Sequence, residues 1–384
     1  MPFYHRLGEI PRKRHVAFRR KDGSLYYEHL MGNKGFTGPS SLLYHLRLPT
    51  AVKRQSPVPG KAWEIDGDAT LRNRHFRLDG IPAGGGFALD RVPLLFNSDV
   101  AISMARPDRA DDFFFRNGQG DEILYISNGE GVLESLMGEL PYRAGDYVVI
   151  PRGITTRLRP SGPSRILVIE SAGFVETPKR YRNEYGQHLE HSPFCERDFR
   201  VPETLPLHDE TGEFRVLVKR ENRITEQILG HHPFDVVGWD GHYYPWATNI
   251  EDFEPIVGRL HQPPPVHQQF QAPGFVVCSF VPRLYDFHPE AVPAPYNHSN
   301  VMSDEVIYYA HDKFMSRKGI EYASMTLHPD GMPHGPQPGR IEASVGKEKT
   351  EELAVMIDTF QPLKVAKAAA DVEDADYPQS WMEE

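Results

Sequence analysis

Proline limits this fold more than any other feature of the sequence. The 384-residue chain carries 34 prolines. Each removes a backbone donor and fixes φ, which argues against long helices and for strands joined by rigid turns. Short runs rich in β-branched and aromatic residues, bounded by Gly, Pro or Asn, predict strands at 41–48, 76–78, 92–96 and 100–104. From residue 113 they come at even spacing, at 113–116, 122–127, 131–136, 146–150, 155–159 and 165–170. That rhythm predicts an antiparallel sandwich or barrel. A second β series, at 274–281, 305–311 and 321–327, follows the rigid stretch Gln262-Pro263-Pro264-Pro265. Residues 349–356 read as one short helix. Residues 176–255, aromatic, charged and irregular, read as a connecting region. The Ala/Asp/Glu-rich residues 366–384 read as an exposed, partly disordered tail.

Composition excludes several classes of function. The net charge is −10, so nucleic acid and anionic membrane surfaces are unsuitable partners. The basic clusters Arg12-Lys13-Arg14 and Arg19-Arg20-Lys21 lack interleaved aromatics and read as solvated or interface charge, not a binding patch. Mean hydropathy is −0.50, no apolar run is long enough to span a bilayer, and no apolar signal core follows the first residues. Two cysteines, Cys195 and Cys278, exclude a disulfide scaffold and a Cys-based zinc module, and they fit a reducing cytoplasm. The 18 histidines direct attention to metal ligands.

Two segments repeat. Asp121-Glu122-Ile123-Leu124-Tyr125 is similar to Asp304-Glu305-Val306-Ile307-Tyr308, and Pro151-Arg152-Gly153 downstream of the first is similar to Pro329-Asp330-Gly331 downstream of the second. The pairs keep their order and nearly keep their spacing, as a duplicated β unit would. The pattern resembles the two cupin motifs, His-x-His followed shortly by Glu, and Pro-x-Gly-x-x-His. In the C-terminal copy His298-Ser299-Asn300 precedes Glu305, and Pro329-Asp330-Gly331-Met332-Pro333-His334 matches the second motif in full. Asn300 stands where many cupins have a second histidine. In the N-terminal copy Phe115 stands opposite His298 and Thr156 opposite His334, leaving Glu122 alone. One carboxylate cannot hold a transition metal, so that half is expected to be metal-free and structural.

The resemblance implies a mainly β fold, a duplicated cupin (bicupin) of antiparallel sandwich or barrel form with few short helices. Its expected units are an N-terminal cupin-like domain (1–175), the connecting region (176–255), a C-terminal catalytic cupin (256–365) and the tail (366–384). Isolated histidines are most often surface or satisfied core residues. Here His298, Glu305 and His334 come from three segments at motif spacing, and two imidazoles with one carboxylate suit non-haem Fe(II) that handles O2. Asp304 and Glu305 lie on opposite faces of a strand, so only one can point inward. Cupin spacing and the repeat favour Glu305, whereas a six-residue step from His298 favours Asp304.

With these residues placed, the chain resembles homogentisate 1,2-dioxygenases. Tyr296-Asn297-His298-Ser299-Asn300-Val301-Met302-Ser303-Asp304-Glu305 is similar to that family's first iron segment, and Leu327-His328 with His334-Gly335-Pro336 to its second. Gly35-Phe36-Thr37-Gly38-Pro39 and Leu43-Tyr44-His45-Leu46-Arg47-Leu48-Pro49 are similar to its opening loop and strand. The resemblance implies iron held by His298, His334 and Glu305, or Asp304 at the family's six-residue step. It implies His328 beside the iron contacting substrate, and His261 as acid/base with His267 competing for that role. It implies O2-dependent opening of homogentisate to maleylacetoacetate by a homo-oligomer, trimers pairing into hexamers, with no other partner than a small aromatic substrate and O2. The alternatives are a dioxygenase for another para-dihydroxylated aromatic acid, such as gentisate, and a metal-binding bicupin without turnover.

Overall fold

The computed structural model describes residues 3–60, 63–294 and 296–382. Strands dominate it, and the described residues contain only two short α-helices, Arg340–Ser344 and Lys367–Ala370. Two seven-stranded sheets and a four-stranded one form the N-terminal half. One seven-stranded sheet carries Asp121–Asn128 between Asp146–Ile150 and Arg165–Ser171. The other carries Thr155–Pro160 between Gly131–Ser135 and Phe114–Asn117. Leu133, Leu140 and Leu158 of the second sheet share one buried apolar cluster with Ile123, Val149 and Val168 of the first. Burial of such side chains contributes roughly 1.5–3 kcal/mol each. This is the mainly β, duplicated barrel architecture expected from the proline content and the repeat. Strand pairs are antiparallel throughout the described residues, except Phe114–Asn117 beside Thr211–Arg220.

The C-terminal half is a six-stranded sheet. Its order is Gln268–Ala272, Phe275–Phe280, Ala354–Thr359, Asp304–Tyr309, Met325–His328 and Arg74–Phe76. Its last strand comes from the N-terminal half. In return, Lys364–Val365 adds an edge strand to the N-terminal sheet, beside Val92–Phe96. The halves are therefore laced together, and buried tyrosines join them: Tyr308 donates to Ser127 Oγ at 2.7 Å, and the Tyr147 hydroxyl meets Ser279 Oγ at 2.9 Å.

Three expectations are corrected. Residues 349–356 form strands, Lys349–Thr350 and Ala354–Thr359, not a helix. Side chains on both faces of the second are buried, so its apolar run carries no strand alternation. The stretch read as connecting holds four strands, Thr211–Arg220, Arg223–His231, Val236–Gly241 and Trp246–Asn249. Its long hairpin turns at Glu221-Asn222, both at positive φ (51° and 56°). A two-residue turn of this kind usually shows Gly or Asn-Gly, and that signature is missing here. The tail is also built into the fold up to residue 382: Tyr377 is buried in a 3-10 turn, Tyr377–Trp381. Glu383 and Glu384 of the expected tail lie outside the described residues.

Candidate metal centre

The ladder places Glu305 directly opposite His328 on one side and Asp358 on the other. Cross-strand partners share a face, so these three side chains form one row across the sheet. His298 and His334 sit in the loops that lead into and out of this region. They are locked to each other through the backbone, His298 N to His334 O at 2.8 Å and His334 N to His298 O at 2.9 Å. Their ring centroids are 4.4 Å apart.

Each of these two imidazoles turns Nδ1 toward the carbonyl two residues earlier, His298 toward Tyr296 O at 3.2 Å and His334 toward Met332 O at 3.3 Å. An Nδ1–H donated to a carbonyl leaves the lone pair on Nε2. The two Nε2 atoms face Glu305 Oε2 at 3.9 and 3.7 Å, too far for hydrogen bonds. His334 Nε2 is buried with no hydrogen-bond partner. Buried polar atoms are rarely left so, and a cation between the three donors would supply the missing partner. Ligand atoms of His298, Glu305 and His334 all lie within 4.8 Å of one another, the one such His/Cys/Asp/Glu group among the described residues. The donor set thus fits a divalent metal, with His298 on the more exposed side.

The other carboxylate oxygen is already committed. Glu305 Oε1 accepts from His328 Nδ1 at 2.7 Å, and the far nitrogen of His328 meets the Tyr377 hydroxyl at 3.2 Å. Burial alone would raise the Glu305 carboxyl, but His328 and His334 beside it hold it well below the usual carboxylate range. Burial and the nearby Arg317 guanidinium push His328 down to about 4 against the pull of Glu305, so its ring is neutral near pH 7. Asp358 moves the other way: burial and the Glu305 charge raise it to about 7.

Asp304 faces away from this cluster. Its Oδ1 accepts from Asp330 N at 2.8 Å and its Oδ2 from Leu363 N at 2.7 Å, which ties two loops to the strand. The upstream twin does the same, for Asp121 accepts from Arg152 N and Val175 N, each at 2.9 Å. The acidic doublet therefore divides its work identically in both halves, a loop anchor first and an inward acid second. Phe115 and Thr156 are cross-strand partners just as His298 and His334 bridge each other. Where the C-terminal copy has a set of metal donors, the N-terminal copy has a guanidinium. Arg91 grips both oxygens of Glu122, Asn117 Nδ2 donates to Glu122 Oε1 at 2.9 Å, and Phe115 packs 5.5 Å from the Arg91 guanidinium.

His261 is not joined to the cluster. It is exposed, 3.8 Å from Asp286, and edge-on to Tyr296, whose ring is in turn edge-on to His298. His267 is buried against Phe280, and burial holds it down to about 3. His328, expected to contact substrate, has both ring nitrogens engaged with protein groups and is wholly buried. Sequence reasoning missed Arg317, Asp358 and Tyr377. Of these only Tyr377 left a trace, an aromatic pair with Trp381 in a stretch otherwise read as a solvated tail.

Comparison with known proteins relates the chain to dioxygenases. A family profile described as Homogentisate 1,2-dioxygenase N-terminal matches residues 97–250. A protein of Saccharolobus solfataricus, provisionally named a dioxygenase, is 43% identical over 99% of both chains. Homogentisate 1,2-dioxygenase of Bradyrhizobium diazoefficiens is 29% identical over 70% of this chain and 63% of its own length. That of Rhizobium meliloti is 28% identical over 85% and 72%. The chain thus spans less than two thirds of the first of these homogentisate enzymes. Among solved structures, a cupin 2 conserved barrel domain protein from Leptotrichia buccalis aligns over 81% of this chain and 97% of its own, at 8% identity and a TM-score of 0.33. Among the described residues no helix is long and apolar enough to cross a membrane. Being 43% identical over nearly the full length of both chains, the chain belongs to the same dioxygenase family as the Saccharolobus solfataricus protein, and its residues 97–250 match the N-terminal profile of homogentisate 1,2-dioxygenases.

Proposed function

We propose that this protein is an Fe(II)-dependent ring-cleaving dioxygenase that opens homogentisate with O2 to maleylacetoacetate, with His298, Glu305 and His334 as the metal ligands. The observation that carries the reading is the convergence of two Nε2 lone pairs on one carboxylate oxygen, none of the three hydrogen-bonded to another. Bound there, Fe(II) supplies the electron transfer that lets O2 react with an electron-rich ring. The protein does the rest. The carbonyls of Tyr296 and Met332 fix the tautomers of the two ligand histidines. His328 holds the carboxylate by its other oxygen, which gives it an orienting role instead of contact with substrate. Three protein ligands would leave the metal further positions for the substrate and O2. His261, flanked by Asp286 and by Tyr296, whose ring lies edge-on to His298, would take the substrate hydroxyl proton. Both oxygen atoms end in the product, so no outside reductant is needed.

The reading includes a cytoplasmic homo-oligomer. Exposed Leu260, Phe287, Val301 and Met302 in the segments around the centre favour cover by further copies. A dioxygenase for another para-dihydroxylated aromatic acid, such as gentisate, is the second reading. Identity of 29% to a homogentisate enzyme leaves room for it. Anaerobic loading with Fe(II), followed by oxygen-electrode assays on homogentisate and a panel of dihydroxybenzoates, tests both. Uptake with homogentisate foremost supports the first reading, and preference for gentisate supports the second. Equal activity with Zn(II), or no uptake with any hydroquinone acid, refutes ring cleavage.

A further inference from the structure

The C-terminal segment reaches the metal centre from behind. Glu373 pairs with Arg72 and Arg74, and Asp374 with Arg77, which fixes the start of the segment to the Arg74–Phe76 edge strand. The turn Tyr377–Trp381 then lies over His328. His334, His328 and Tyr377 form a stack, with centroids 5.0 and 6.4 Å apart and planes within 19° and 26°. Trp381 stands edge-on to His328, and its Nε1 donates to Gly335 O at 3.2 Å, one residue after His334. Gln337 donates to Ser380 Oγ at 2.6 Å.

We propose that Tyr377 is a positioning residue of the metal centre, acting through His328 to hold Glu305 with one oxygen free for the metal. The inference rests on the metal reading above. The chain of contacts leads to it. His328 Nδ1 lies 2.7 Å from Glu305 Oε1 and its Nε2 lies 3.2 Å from the Tyr377 hydroxyl, so the ring is tied at both nitrogens. Without that hydroxyl, Nε2 is a buried polar atom with no partner and the ring is held at one end alone. A ring held at one end is free to turn, and turning releases Glu305 Oε1. A carboxylate free to rotate between the ligand histidines is a poorer ligand, and losses of outer partners of this kind cost about 10–100-fold in metal affinity. A purely space-filling Tyr377 would cost stability and leave the metal alone.

Co(II) titration of the metal-free full-length chain, followed by the visible absorption of the bound ion and by metal analysis, separates these roles. Tyr377→Phe, which keeps the ring, is expected to weaken Co(II) binding about 10-fold and to shift the absorption bands. In a His328→Gln background the same exchange is expected to add less than about 2-fold, because the route to Glu305 is already cut. Tyr308→Phe removes a buried hydroxyl from the same strand as Glu305, one bonded to Ser127 instead, and should bind Co(II) like the unaltered chain. Wild-type affinity and spectrum in Tyr377→Phe overturn the proposal. So does an undiminished effect in the His328→Gln background, or an equal loss in Tyr308→Phe. An unaltered chain that binds no Co(II), or binds it equally well as His334→Ala, instead refutes the metal reading, and the proposal falls with it.

Discussion

Replacing Asp304 by alanine removes a carboxylate that touches no candidate ligand but ties down two loops. Its oxygens accept from Asp330 N at 2.8 Å and Leu363 N at 2.7 Å, and the residue is buried. A hydrogen bond to a charged group contributes about 1.5–3 kcal/mol, and two lost together, softened by solvent reaching the freed donors, come to about 3 kcal/mol. Neither loop carries Glu305, so the variant should still bind about one metal per chain, with the loop near His334 somewhat loosened. Glu305→Ala is the opposite case: it removes one of three converging donors and should leave the centre empty. Both variants would be loaded with Fe(II) under identical anaerobic conditions, analysed for metal content and unfolded in urea in the metal-free form. Asp121→Ala, the twin position, should lose stability of the same order as Asp304→Ala, because its carboxylate makes the same two kinds of contact. An empty site in Asp304→Ala with metal retained in Glu305→Ala would refute the reasoning and restore the six-residue step as the ligand spacing.

Glu122→Gln should leave metal content unchanged but cost about 3–5 kcal/mol, since it strands the Arg91 guanidinium, whose side chain is only 11% exposed; metal analysis with urea unfolding checks both, and two metals per chain in the unaltered protein would contradict a structural N-terminal half. His267 keeps its proton off in the folded chain until about pH 3, whereas the unfolded chain takes it up below about 6.5. Stability therefore falls as pH drops through that window, and His267→Gln should flatten the slope for the metal-free chain by up to about 1.4 kcal/mol per pH unit; an unchanged slope counts against a buried neutral ring. His261→Ala should lower homogentisate turnover by about 100-fold or more with metal content intact, and wild-type turnover would remove it from the proton path.

Much of this molecule is legible from residues alone. Prolines and evenly spaced apolar runs determine a β architecture, because proline forbids long helices and turn residues delimit strands. The repeated acidic doublet and the Pro-x-Gly-x-x-His turn determine that a duplicated unit keeps a His/Glu donor set in one copy alone, since only one copy retains imidazoles. Which acid turns inward was open, as both faces of Asp304–Tyr309 are apolar beyond the acids. Only the tertiary structure decided it, by bringing backbone donors from two distant loops to Asp304 and two histidines to Glu305. The strand Ala354–Thr359 and the hairpin turning at Glu221-Asn222 were hidden for related reasons: a central strand loses its alternation, and neighbouring strands hold a turn that lacks glycine. The tail is the clearest case. Its charges read as solvation until Arg72, Arg74 and Arg77 meet them, and its tyrosine acquires a role only where the fold sets it against His328, 49 residues away in sequence. Hydrogen-bond partners far apart along the chain leave no periodic trace in it, and they are what the folded structure adds.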